Sequence, residues 1–252
     1  MRKIFLILVL FIGLNLFSSE LQIKTKDGFI LKGWLTFPKV SEKTYPLAVF
    51  AHEFGSDHKM WANISKLMRK RGYATFEMDL RGHGKSIMQN GKENKIISFK
   101  TLDHLEASVK QSAIKVDFKK IPNDLSAWID KLSQNKKLKT ENMVFFGASL
   151  GGGAIISILL DYEPKVVVLF SPAAPKTYDE TAMNDSISNS EAKILIFSSR
   201  DDFARKTAIY YMTKALTPTL IVLPGSGHGS ATFDLAMPFL KTYLNKYLPI
   251  EK

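Results

Sequence analysis

The stretch MVFFGASLGGG, residues 143–153, sets an apolar run directly against a serine fenced by glycines. A helix-like pattern, AIISILL (154–160), follows it. Three successive glycines, Gly151 to Gly153, are a poor way to begin a helix, each costing roughly 1 kcal/mol relative to alanine. A sequence accepts that cost where backbone geometry outranks propensity, and such a local breach of the rules marks a functional position. Gly147-Ala148-Ser149-Leu150-Gly151 fits G-x-S-x-G. Five residues alone are a weak signal; an apolar strand before them and a helix after them make it strong. A sharp strand-to-helix turn strains the backbone at the serine and lifts its hydroxyl clear of the sheet. Side chains two positions to either side would collide there. Glycine at 147 and 151 removes the collision, and Gly152 and Gly153 let the helix start lie close to neighbouring strands.

Working outward from this turn, short β-like runs recur: LQIKT (21–25), FILKGWLTF (29–37), LAVFA (47–51), YATFEMD (73–79), NMVFFG (142–147), KVVVLFS (165–171), KILIFS (193–198) and TLIVLP (219–224). The first two alternate and are joined by KDG, a hairpin signal. The later ones are almost unbroken apolar stretches, as in strands buried on both faces of a parallel sheet. Helix-period segments fall near 59–71, 123–134, 150–161, 204–216 and 230–247. The alternation predicts a single-domain α/β architecture, an eight-stranded, mostly parallel sheet flanked by helices. In such sheets the chemistry gathers at the carboxyl ends of the strands.

A serine hydroxyl needs an adjacent base to act as a nucleophile. With a G-x-S-x-G turn the partners follow in the order serine, acid, histidine. Of the five histidines, His52, His58, His83 and His104 precede Ser149, and only His228 follows it. It sits in LPGSGHGS, past the last predicted strand, in a glycine-rich loop able to swing an imidazole toward the serine. The acid belongs after the penultimate strand, in KILIFSSRDDFA, where Asp201 and Asp202 both qualify. Counting from the strand favours Asp202, and counting back from the next helix favours Asp201. Asp202 is preferred by a little, with the other aspartate serving as a loop or helix-capping residue.

Acyl transfer places negative charge on the former carbonyl oxygen and requires backbone N–H donors to receive it. Leu150, directly after the serine, supplies one. Phe54, in AHEFGSDHKMW (51–61), supplies the other, and His52 is expected to brace that loop. His58 beside Asp57 resembles a metal pair but has no third ligand at suitable spacing. No metal and no cofactor are called for.

The chain has 252 residues, 45% of them hydrophobic, enough for one large core, and no repeat or linker divides it. Its first 19 residues, MRKIFLILVLFIGLNLFSS, read as a secretory signal: Arg2 and Lys3, an apolar stretch, then small residues near a cut site. The alternative is an uncleaved amino-terminal anchor, against which the apolar run is shorter than the ~20 residues that span a bilayer. The expected organisation is a leader over 1–19 and a catalytic domain over 20–252, placed in the periplasm or outside the cell. There is no cysteine, which excludes disulfides and a thiol nucleophile. The net charge of +11 comes almost entirely from scattered lysines, with only six arginines. That is a solvated surface, compatible with peripheral association with an anionic cell envelope, and not the arginine-and-aromatic pattern of a nucleic-acid binder.

With these motifs in place, the sequence resembles the α/β-hydrolase superfamily and is most similar to compact dienelactone-hydrolase-like or serine-aminopeptidase-like members. The resemblance is carried by HEFGSDHKMW (52–61), FEMDLRGHGKS (76–86), GASLGGG (147–153), SSRDD (198–202) and GSGHG (225–229), in family order, over roughly residues 25–247. It implies a nucleophile at Ser149, a base at His228, an acid at Asp202 or Asp201, and oxyanion amides at Phe54 and Leu150. It also implies architectural roles for Asp79, Arg81 and His83. Two departures stand out. Glu53 occupies a place where the family often has glycine, so its carboxylate either adds negative potential beside the oxyanion site or points to solvent. The segment SPAAPKTYDETAMNDSISNSEA (171–192) is short and polar, so no large lid is expected. Residues 87–122 make a long connection that is expected to frame the pocket mouth and contains LDHLEASV as a short helix.

The implied activity is a serine hydrolase that cleaves carboxylic esters of small or soluble acyl substrates through an acyl-enzyme. Peptidase, amidase and acyltransferase chemistry run on the same triad. A catalytically silent envelope binding protein is the reading of a different class, and the presence of every triad member argues against it.

Overall fold

The computed structural model describes residues 18–250. The predicted leader lies outside them, except for Ser18 and Ser19, which open the first strand. Ten strands form one sheet: β1 (Ser18–Lys24), β2 (Phe29–Thr36), β3 (Tyr45–Ala51), β4 (Ala74–Asp79), β5 (Met88–Gln89), β6 (Lys92–Glu93), β7 (Leu138–Ala148), β8 (Val166–Phe170), β9 (Lys193–Ser199) and β10 (Pro218–Leu223). Their order is β10-β9-β8-β7-β3-β4-β2-β5-β6, with β1 paired to β2. The run from β4 to β10 is parallel, and the β1, β2, β5, β6 margin is antiparallel. All eight expected strands are present. The two extra ones are a two-residue hairpin closed by Asn90-Gly91, both at positive φ, the turn that Asn-Gly favours.

The strands are apolar on both faces because both faces are covered. Leu47, Val49 and Ala51 of β3, Phe145 of β7, Leu169 of β8 and Ile196 of β9 join one core cluster. Their alternates Ala48 and Phe50, Val144 and Phe146, Val168 and Phe170, and Leu195 and Phe197 join the other. The second face is closed by α1 (Ala62–Lys70) and α8 (Phe233–Tyr247), through residues such as Ile64, Met68, Leu240 and Leu244. The first is covered by α2 (Leu105–Lys115), α3 (Ile121–Ser133), α4 (Leu150–Ile156), α5 (Leu159–Tyr162), α6 (Glu180–Asn189) and α7 (Arg205–Lys214). Each aliphatic or phenyl side chain fully buried this way contributes about 1.5–3 kcal/mol. Among the described residues no helix is long and apolar enough to cross a membrane.

Three helical segments differ from expectation. The segment predicted over 150–161 is two helices, α4 and α5, broken where Ser157 Oγ bonds back to the Gly153 carbonyl at 3.1 Å. The polar segment 171–192 contains a full helix, α6, capped by Asp179, which accepts from the Ala182 N–H at 3.0 Å. Its buried Met183 and Ile187 lie one turn apart. This helix is the crossover that parallel β8 and β9 require, not a lid. The expected short helix in the 87–122 connection is α2, eleven residues long.

Residues 79–86 hold the turn after β4. Asp79 accepts from the His58 N–H at 2.9 Å, the His58 ring at 2.8 Å and the Lys85 N–H at 2.6 Å. Arg81 is buried and binds Asp124 through two bonds of 2.6 and 2.7 Å. His83 is buried against the Arg81 carbonyl.

Candidate active site

Ser149 sits between β7 and α4 at φ 44°, ψ −113°, a left-handed backbone that few non-glycine residues adopt. The flanking glycines have separate steric reasons. A methyl on Gly147 would lie 2.7 Å from the Gly152 Cα, and one on Gly151 would overlap the Ala51 carbonyl at the end of β3. A methyl on Gly153 would meet the Ala173 carbonyl at 2.5 Å. Gly152 and Gly153 therefore face the loop that follows β8 and not a strand. Gly151 N–H donates to the His52 carbonyl at 3.2 Å, which fastens the start of α4 to the loop after β3.

Three of the sequence-chosen residues meet. Ser149 Oγ lies 2.9 Å from His228 Nε2, and His228 Nδ1 lies 2.9 Å from Asp202 Oδ1. With Nδ1–H donating to the carboxylate, Nε2 is left to accept the serine proton. Asp201 is not part of this chain: its side chain is 54% exposed and pairs with Arg200 at 3.2 Å, whereas the Asp202 side chain is fully buried. Asp202 also accepts the Ala204 N–H at 2.9 Å with the same Oδ1, a bond that holds the turn ahead of α7. Burial alone raises the Asp202 carboxyl; the His228 bond, the Ser171 hydroxyl and the Ala204 N–H outweigh it and hold the pKa below the ordinary carboxylate value.

The amides of Phe54 and Leu150 donate to no other group among the described residues. Leu150 is the first residue of α4, where a helix leaves its N–H groups unpaired. The loop carrying Phe54 is held by His52, which is fully buried. Its Nε2 accepts the Leu80 N–H at 3.0 Å, so Nδ1 carries the proton donated to the Glu53 carbonyl at 2.7 Å. Burial lowers the His52 pKa and keeps the ring neutral, as this pattern requires. The Glu53 carboxylate is held by Ser230, through its N–H and its hydroxyl.

Two further neighbours escaped the sequence reading. Phe203, 68% exposed, stacks on the His228 ring with centroids 4.2 Å apart. Phe99, from the long connection, stacks on Phe54 with centroids 6.0 Å apart, which brings that connection against the loop after β3. The available signal was position alone, since Phe203 directly follows Asp202. His58 and Asp57 are occupied elsewhere: His58 stacks on Trp34 at 3.5 Å and bonds Asp79, and Asp57 caps a short turn through Lys59 N–H. No group of three or more metal-ligating side chains occurs among the described residues. Two surface grooves of about 460 Å³ lie at the opposite ends of the strands, around Glu141, Glu163 and Lys193, far from Ser149.

The model of the family described as serine aminopeptidase, S33, matches residues 43–195, more than half of the chain. That span includes Phe54, Ser149 and Leu150 and stops short of Asp202 and His228. Among solved structures, Est1E from Butyrivibrio proteoclasticus with ferulic acid bound is 16% identical, with a TM-score of 0.67 over 90% of this chain and 99% of that one. Dienelactone hydrolase from Anabaena variabilis is 18% identical, TM-score 0.60, over 91% and 96%. The esterase Pf2001 from Pyrococcus furiosus is 16% identical, TM-score 0.62, over 93% and 90%. At these identities the likeness is one of fold. No curated protein matches the chain.

Proposed function

Because the chain belongs to the serine aminopeptidase (S33) family of α/β-hydrolases, we propose that it is an exported serine hydrolase that cleaves carboxylic esters of small, soluble acyl substrates. One observation carries the reading: a single imidazole spans Ser149 Oγ and Asp202 Oδ1, each at 2.9 Å. His228 Nε2 takes the Ser149 proton as Oγ adds to the ester carbonyl carbon. The negative oxygen is received by the Phe54 and Leu150 amides. The protonated imidazole, steadied by Asp202, hands its proton to the departing alcohol and leaves an acyl-serine. Water, deprotonated by the same nitrogen, then releases the acid. Export rests on the leader-like residues 1–19. The choice of small acyl groups rests on the short span between β8 and β9, which carries one crossover helix and no lid domain.

The name of the matching family favours a second reading, hydrolysis of an amino-terminal peptide bond on the same three residues. Turnover of p-nitrophenyl esters against aminoacyl anilides separates the two. The proposal itself is tested with a fluorophosphonate probe: the wild-type chain labels and hydrolyses p-nitrophenyl esters, and Ser149→Ala does neither. A folded wild type that fails to label sinks it.

A further inference from the structure

Glu53 directly precedes Phe54, whose amide is a candidate oxyanion donor, yet its carboxylate serves the opposite loop. Oε2 accepts the Ser230 N–H at 2.9 Å and Oε1 the Ser230 hydroxyl at 2.5 Å, joining positions 177 residues apart. Gly229, between His228 and Ser230, has φ +54°, and a methyl there would overlap the Glu53 carboxylate. The backbone after the histidine is thus shaped around this side chain twice over, by conformation and by space. At its own backbone Glu53 belongs to the other half of the site. Its carbonyl receives the His52 ring proton at 2.7 Å, and the next amide along the chain is that of Phe54.

Residues 224–228 follow β10 with no helix or strand ladder of their own, and Gly225 lies at positive φ. A base on such a loop has to keep a hydrogen-bond distance to the serine hydroxyl, the leaving oxygen and the incoming water in turn. Resting on the serine-hydrolase reading above, we propose that Glu53 is a positioning residue. It clamps the His228 loop to the loop bearing the Phe54 amide, so that base and oxyanion donor hold a fixed separation while the acyl group moves between them. Glu53 touches no reacting atom; it acts through Ser230 and its own neighbours.

The test uses the full chain with Glu53→Ala, Glu53→Gln, Ser230→Ala and the Ala–Ala pair, assayed on p-nitrophenyl butyrate with thermal midpoints taken alongside. Loss of the clamp lowers kcat by about 10- to 100-fold in Glu53→Ala while KM stays within about 3-fold, the pattern of lost positioning and not of lost binding. Fluorophosphonate labelling slows in parallel. Glu53→Gln recovers most of the rate, because its amide oxygen still accepts the Ser230 N–H. Ser230→Ala, which keeps that N–H, costs less, and adding it to Glu53→Ala costs nothing more, since both act through one contact. A kcat for Glu53→Ala within about 2-fold of wild type, or costs that simply multiply in the pair, overturns the clamp. A wild type that neither turns over the ester nor labels sinks the hydrolase reading instead. The clamp is then still read by hydrogen exchange: a Ser230 amide exchanging faster in Glu53→Ala than in wild type supports it, and an unchanged rate overturns it.

Discussion

Asp201 and Asp202 differ by one bond along the chain and by almost everything in their surroundings. The β9–β10 pairing continues past the strand ends, Arg200 N–H to the Leu223 carbonyl at 2.8 Å and Asp201 N–H to Gly225 at 2.9 Å. Asp202 N–H turns back to Ser199 at 3.3 Å, and this turn sends its side chain inward. That rotation depends on which backbone groups pair across two strands, so no count along the sequence could settle it. Ser149 and His228 were legible for the opposite reason. Glycine spacing and chain order are one-dimensional signals, and only one histidine follows the serine. Glu53 was legible as an oddity but not in its use, since its partner lies 177 positions away. Asp202→Ala removes the acceptor that fixes the imidazole tautomer and the charge that steadies the imidazolium, and it should lower kcat by about 10⁴-fold. Asp201→Asn removes only an exposed pair with Arg200, so kcat should stay within about 2-fold. Steady-state assays of both variants check the assignment, and equal losses would refute it.

At the scale of elements, the turn between β7 and α4 is a steric solution before it is a chemical one. Gly151 allows the start of α4 to sit on the end of β3, where any Cβ would run into the Ala51 and His52 carbonyls. These obstacles are backbone atoms at the end of a central strand and just beyond it, and they cannot step aside. Gly151→Ala should therefore destabilise the fold by about 1–3 kcal/mol and also displace the Leu150 amide. Urea unfolding and kcat measured together check this; a variant unchanged in both would show that the contact is slack. Strand positions were legible because buried strands are apolar throughout. α6 was not, because only two of its ten residues, Met183 and Ile187, are large buried hydrophobics, and the polar remainder hid the period. The Asn90-Gly91 hairpin carried its own signal and was too short to register as strands.

Across the whole molecule, two neutral imidazoles are sealed beneath the loop that carries Phe54. His52 and His83 are both buried, their ring centroids 5.0 Å apart. Burial, reinforced by the His52 neighbour, pushes His83 down to about 3, and burial lowers His52 as well. In the unfolded chain both titrate near 6.5. Below that value the unfolded state binds protons that the folded state refuses, so acid favours unfolding. The contribution is whole above about pH 6.5 and shrinks beneath it by about 1.4 kcal/mol per pH unit for His83, with His52 adding a loss of the same sign. Asp27, held at about 2 against the cost of its own burial by Thr25, Arg81 and Lys120, adds a further loss as pH falls below about 4. Urea midpoints should fall steadily between about pH 7 and pH 4.5, and a flat profile would contradict the burial of these rings.

The groups that converge on Ser149 come from the ends of β3, β7, β9 and β10, between residues 52 and 230. No shorter length of polypeptide holds a full set, so the reactive ensemble cannot be inherited piecemeal. Trimming the last tenth of the chain removes His228 and Ser230 together with α8, and so strips the cover from one face of the sheet as well.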